Sequence, residues 1–353
     1  MCIGPSPGGI GPAARDGHAA AVTNRPLLPA FVVLWSSGYV VGAIAIGVAD
    51  PLPLLAARFL LASVLAVPLA LRHGRWRGAP LGRIAVAGIL LQVVQFGGVY
   101  GGFALGVPAA LSALVMLGLA PLVTSAIAVG TGRERGDARL WTGLAIGVLG
   151  VAISLAPELG DARVGVGVAV TLIGMLGLAG GTVVQKHWAG GADVRVSAAV
   201  QSVTGAILVT PALAVFGGRF DVGPRLLLSL GWLAWGMGIV TLLLLVHLLR
   251  AHAASTVGAL LLVVPAVTAI ASAPILGEAL HPASLVGMVV ALVGVAAVIR
   301  REAPAVPAER GAGTEPAAAA TSPGSGPSHV RRSPGIRAAH ASVPPAAGAR
   351  SPA

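Results

Sequence analysis

The sequence predicts an all-α polytopic membrane protein, with ten transmembrane helices arranged as two inverted repeats of five. Three observations carry that prediction. Of 353 residues, 56% are hydrophobic and only 10% charged, with a mean hydropathy of +0.89, which is far too apolar for a soluble domain. The apolar runs are continuous and close to the roughly 20 residues that a helix needs to cross hydrocarbon, whereas strands of a membrane barrel would alternate in shorter segments. Finally, residues 253–296 slid back by 144 positions fall on 109–152 without a gap. Pro265 then meets Pro121, Thr268 meets Thr124, Glu278 meets Glu134, Gly287 meets Gly143 and Gly294 meets Gly150. Apolar identities weigh little in such a chain. One Pro, one Thr, one Glu and two Gly at a single offset mark an internal duplication.

The elements follow in order. Residues 1–26 are rich in Gly, Pro and Ala and read as a flexible lead-in, with no apolar core of a signal peptide. The first repeat, 27–156, holds spans at about 27–48, 54–71, 84–105, 108–130 and 140–156, with a turn expected at 50–53 (DPLP). The second, 164–300, holds spans at about 164–185, 196–216, 226–249, 255–277 and 282–299. Residues 301–353, mostly Pro, Ala, Gly and Ser with scattered Arg, cannot bury enough apolar surface to offset their ordering entropy and read as a disordered tail. Pro121 and Pro265 are expected to kink the matched fourth and ninth spans. Glycine faces on the third span (Gly97, Gly98, Gly101, Gly102) and the sixth (Gly174, Gly177, Gly180, Gly181) are expected to let backbones approach closely.

Charge fixes an expected orientation. With the N-terminus inside, the short loops and span ends on the cytoplasmic side collect thirteen Lys and Arg, including Arg72, Arg75, Arg77, Arg83, Arg139 and Arg195; the outside collects Arg163, Arg219 and Arg225. This asymmetry puts both termini in the cytoplasm. Five crossings per repeat is an odd number, so the halves run in opposite senses. Inverted repeats of this sort support alternating access around a site near the midplane.

Certain segments resemble the drug/metabolite transporter superfamily, specifically permeases with two EamA-type domains. They are LWSSGY at 34–39, AARFLLA at 56–62, GVPAALSAL at 106–114 with Pro121, and LGEALHP at 276–282 with Gly287 and Gly294. The resemblance covers about 27–300. It implies ten helices, cytoplasmic termini, a cavity lined by both halves, and transport of a small metabolite, often outward. The expected function is export of a small metabolite, amino acid or drug-like compound, and the Ala-, Gly- and Arg-rich, Lys-poor composition points to a bacterial inner membrane.

Candidate site residues are few. Arg58 is the clear charge within a span, and such charges are costly enough to be functional hypotheses. It can snorkel outward, pair with Asp50 or a lipid phosphate, or face the cavity and bind an anionic group; the resemblance favours a structural part. Polar and aromatic cavity candidates are Trp35, Ser36, Tyr39, Gln92, Gln95, Ser112, Thr124 and Gln201, with Pro121 and Pro265 freeing carbonyls. Glu134 and Glu278 are expected to fix the turn into the next helix or to act in gating. His247 is the candidate proton carrier. No cofactor or metal is expected: the single cysteine, Cys2, excludes a thiolate cluster, and no phosphate-cradling loop is present. The formal charge of +11 sits in loops and tail with no basic face interleaved with aromatics, which argues against nucleic acid. The expected partners are the lipid bilayer and a small-molecule substrate; the oligomeric state is left open. The rival function, a membrane enzyme acting on a lipid or isoprenoid, would need clustered carboxylates or histidines at one face.

Overall fold

A computed structural model describes residues 26–132, 136–241, 244–245, 247–248, 257, 260–279 and 281–302. The expected lead-in, the expected tail beyond residue 302, and Glu134 lie outside these. Among the described residues ten longer helical segments stand out, besides the short 3-10 turn Glu158–Gly160. They are α1 (Leu27–Ile46), α2 (Pro51–His73), α3 (Leu81–Ala104), α4 (Ala109–Gly130), α5 (Ala138–Leu155), α6 (Ala162–Trp188), α7 (Val194–Phe216), α8 (Pro224–Gly231 continuing through Trp232–Val240), α9 (Val264–Leu276) and α10 (Pro282–Glu302).

Local chemistry sets the ends. Asp137, Asp161 and Asp193 precede α5, α6 and α7, and each side chain accepts a backbone N–H of the first turn. The turn expected at 50–53 is shorter, because Pro51 takes the first helical position, where its missing N–H costs nothing. At the other end of α9, Gly277 adopts a left-handed conformation (φ 70°) and stops the helix.

The interruptions repeat as well. The third helix of each half contains a π-helical stretch, Ile89–Val94 in α3 and Trp232–Val240 in α8. In α4 a π-helical turn, Val115–Leu119, gives way to regular helix at Ala120. A turn at Leu262–Val263 gives way to regular helix at Val264. Ala120 and Val264 are 144 positions apart, and Pro121 and Pro265 follow them directly. Proline lacks an N–H and its ring collides with the preceding turn, so both breaks fall where the duplicated prolines demand.

Packing shows the inversion directly. α5 and α10 pack along their whole length, and as residue numbers rise on one they fall on the other. A Cβ added to Gly150 would lie 2.6 Å from Ala291 Cα and 2.7 Å from Gly287 O. A Cβ added to Gly294 would lie 2.6 Å from Gly147 N and 2.7 Å from Gly143 O. Under the 144-residue offset these two sets of contacts are the same contact seen from either helix. Ser154 Oγ donates to Ser284 O (2.7 Å) and Ser284 Oγ to Ser154 O (2.9 Å), closing one end of the seam. The glycine faces of α3 and α6 meet each other, also antiparallel, with Gly98 against Gly174, Gly102 against Thr171 and Gly181 against Leu91.

Loops at the two ends are clasped in matching fashion. At one face Asp50 accepts the Arg219 N–H (2.7 Å), and the Arg219 guanidinium donates to Gly47 O (3.1 Å). At the opposite face Asp193 accepts the Arg75 N–H (3.3 Å), and Arg195 donates to His73 O (2.8 Å). Arg75 and Arg219 are again 144 apart. Each clasp joins the second helix of one repeat to that of the other.

Candidate functional site

The interior faces of α1, α2 and α3 carry most of the polar candidates. Gly42 brings α1 against α3: a Cβ there would lie 3.1 Å from the Tyr100 ring and 3.2 Å from that of Phe103. Trp35 and Tyr39 stand seven and three positions before Gly42, on the same face of α1. Gln92 and Phe96 stand eight and four positions before Tyr100 on α3. At about 1.5 Å per residue, Tyr39 and Phe96 lie some 4–6 Å deeper than the Gly42–Tyr100 contact, and Trp35 and Gln92 about 10–12 Å deeper. Trp35, Tyr39, Gln92 and Phe96 are all only half-buried. Trp35, Tyr39 and Phe96 pack against the hydrophobic core.

Arg58 enters this region from α2. It is 9% exposed, so it does not snorkel outward. Its Nη1 donates to Tyr100 Oη at 2.6 Å, and its guanidinium lies 3.6 Å from the centroid of the Phe96 ring. Neither does it pair with Asp50, whose carboxylate is held by Arg219. Among the described residues no carboxylate forms an ion pair with Arg58; the ion pairs Arg75–Asp193 and Arg219–Asp221 lie at the bundle ends. A charge within a membrane span costs roughly 2.5–3.5 kcal/mol, and the guanidinium cannot shed it. The Phe96 stack and the Tyr100 bond orient the group without neutralising it.

The other candidates divide. Ser36 Oγ donates to Val264 O (3.2 Å), joining α1 to α9, and Gln201 Nε2 donates to Gln185 Oε1 (2.8 Å), joining α7 to α6. Ser112 is buried, and its hydroxyl has no partner among the described residues. Gln95 and Thr124 are half-buried, Pro121 is exposed and Pro265 is buried. His247 is exposed. Among the described residues no group of three or more His, Cys, Asp or Glu could hold a metal ion.

Glu278 departs from the expected turn. Its Oε1 accepts the N–H of Ala109, the first residue of α4, at 2.7 Å, so it caps a helix of the other repeat. The cap of α10 is His281, whose Nδ1 accepts the Ala283 N–H (3.2 Å). Glu278 and Glu158 line one small recess with Pro108 and Ser284, a convergence of two acids far apart in sequence. Phe96 and Tyr100, the partners of Arg58, were also missed; an aromatic pair four apart on a membrane helix was the available signal.

The arrangement gathers a guanidinium and aromatic faces where α1, α2 and α3 meet. A solved crystal structure, described only as that of a protein, aligns over 80% of this chain and 99% of its own length, with a TM-score of 0.53 and 18% identity. That likeness speaks to the fold alone. None of the curated proteins compared with the chain matches it. The profile of the EamA-like transporter family matches residues 27–156 and 165–300. Two such matches, covering both inverted halves, identify the chain as a member of the EamA-like transporter family, a membrane transporter of the drug/metabolite type.

Proposed function

We propose that the chain is a secondary carrier that exports a small metabolite, amino acid or drug-like compound from the bacterial cytoplasm by alternating access, and that it performs no enzymatic step. The observation that supports this most is the register of the α5–α10 seam, where each helix makes the contacts of its duplicate. Two bundles related in this way can exchange conformations at little net cost, which opens a path between them to one side and then the other. The matched Asp50 and Asp193 clasps are closed together. They serve as a frame about which the remaining helices rearrange. The excess of Lys and Arg in one set of loops supports a reading in which Arg75 and Asp193 lie at the cytoplasmic face with both termini on that side.

The test is a comparison of extracellular metabolites from cells with and without the chain, alongside variants at Tyr39 and Gln95. Tyr39→Phe or Gln95→Ala changes the flux of the exported compound while membrane insertion stays intact. A chain that inserts normally yet shifts no metabolite overturns the reading.

A further inference from the structure

We propose that the face built from the α2–α3 and α6–α7 connections is a docking site for anionic phospholipid, whose headgroup phosphate settles on a fixed group of arginines. The proposal is independent of the carrier reading. Asp193 joins the two loops by accepting the backbone N–H of both Arg75 (3.3 Å) and Arg195 (2.9 Å), and the Arg195 guanidinium donates to His73 O (2.8 Å). Beneath them Ile84, Ala189 and Val196 form a buried apolar cluster against which Trp76 packs, with its Nε1 donating to Ala70 O (2.8 Å). The loops are thus held in one arrangement before a ligand arrives, which lowers the cost of binding. Arg72, Arg75, Arg77, Arg83 and Arg195 are exposed on this platform, and Asp193 is the one carboxylate within residues 72–83 and 186–195. Even with Asp193 at 3.8 Å, the Arg75 side chain is 87% exposed. Among the described residues no carboxylate forms an ion pair with Arg72, Arg77 or Arg83.

The fold does not require these charges. The 144-residue offset carries Arg75 onto Arg219, which makes the matching clasp with Asp50 at the opposite face. It carries Arg72, Arg77 and Arg83 onto Phe216, Asp221 and Leu227. The second clasp therefore shares the arginine of the first and lacks its cationic neighbours. A guanidinium fork matches phosphate in two-point geometry. The apolar surface beside the cations selects a lipid over a soluble phosphate: Leu71, Leu81 and Val194, close in sequence to Arg72, Arg83 and Arg195, are 69%, 45% and 62% exposed. An acyl chain lying along them leaves its phosphate at the guanidinium groups.

Native mass spectrometry of the purified full chain in uncharged detergent, titrated with phosphatidylglycerol, counts bound lipids and gives their dissociation constants. Phosphatidylcholine and glycerol 3-phosphate serve as controls. Phosphatidylglycerol binds at least about tenfold tighter than either, and raising the ammonium acetate concentration erodes that preference. Each Lys or Arg at a membrane surface strengthens attraction to anionic lipid about fivefold. Arg72→Gln combined with Arg77→Gln therefore weakens phosphatidylglycerol binding about thirtyfold, whereas lysine at both positions keeps most of it. Arg163→Gln combined with Arg225→Gln removes the same charge from exposed positions at the opposite end and leaves binding unchanged. Equal affinity for phosphatidylglycerol and phosphatidylcholine overturns the proposal, as does equal loss from the two glutamine pairs or no loss from the first. Glycerol 3-phosphate binding as tightly as phosphatidylglycerol overturns the lipid assignment. Should the first pair fail to fold, the parent chain decides: a lipid preference that salt leaves untouched contradicts an arginine platform.

Discussion

Replacing Gly150 with alanine probes the inverted seam where it is tightest. The added Cβ would lie 2.6 Å from Ala291 Cα and 2.7 Å from Gly287 O, both backbone atoms of α10. Carbon contacts are comfortable at about 3.5–4.0 Å, so α5 and α10 must separate by about 1 Å along a stretch where both are glycine-rich. Overpacking of this kind costs about 1–3 kcal/mol, and the better helix propensity of alanine returns up to about 1 kcal/mol. The expected net loss is about 1–2 kcal/mol. Because Gly294 makes the duplicate contacts, Gly294→Ala should cost the same to within about 0.5 kcal/mol. Gly165→Ala is the control: nothing lies within 4 Å of a Cβ there, so the change is neutral or stabilising. Reversible unfolding in mixed micelles with rising SDS, followed by circular dichroism, measures all three. If Gly150→Ala and Gly294→Ala unfold together with Gly165→Ala, the seam is not as close as described. If only one of the two is costly, the two-fold relation fails.

Two other outcomes follow from single contacts. Glu278→Ala strips the cap from Ala109 and should destabilise the protein by about 1 kcal/mol in the same assay, while Glu278→Gln keeps an acceptor and loses less. Asp193 is held below the usual carboxylate range, first by the Arg195 N–H and, against the opposing effect of desolvation, by the Arg75 N–H and the two guanidinium charges. A carboxyl lowered in the folded state contributes stability that is full above its unfolded value near pH 4 and is lost as pH falls through the folded value. Asp193→Asn should therefore unfold at a pH-independent level over that acid window, where the parent weakens, and both should be flat between pH 6 and 8.

Much of the architecture was legible because lipid imposes it. Apolar runs near 20 residues long mark the helices, and most predicted ends lie within three residues of the observed ones; the 144-residue offset located both the proline breaks and the α5–α10 glycines before any contact was known. The glycine faces of α3 and α6 could be read as close-packing surfaces, although nothing in the pattern said that they meet each other. The site was less legible, because side-chain partners are chosen by tertiary contact rather than by period. Ser36 and Gln201 had the same polar, mid-span signature as Tyr39 and Gln92, yet they bond to neighbouring helices. Arg58 and Glu278 stand out in the sequence as isolated charges, but their partners, Tyr100 and Ala109, lie 42 and 169 residues away.

The inversion of the two halves is tested most directly at Arg77 and Asp221, exposed loop residues that are equivalent under the 144-residue offset. In a background with Cys2 replaced, Arg77→Cys and Asp221→Cys are treated separately with a membrane-impermeant maleimide on intact cells. The account predicts that Asp221→Cys is labelled at once and that Arg77→Cys is labelled only after the membrane is opened. Labelling of both from the same side would contradict it.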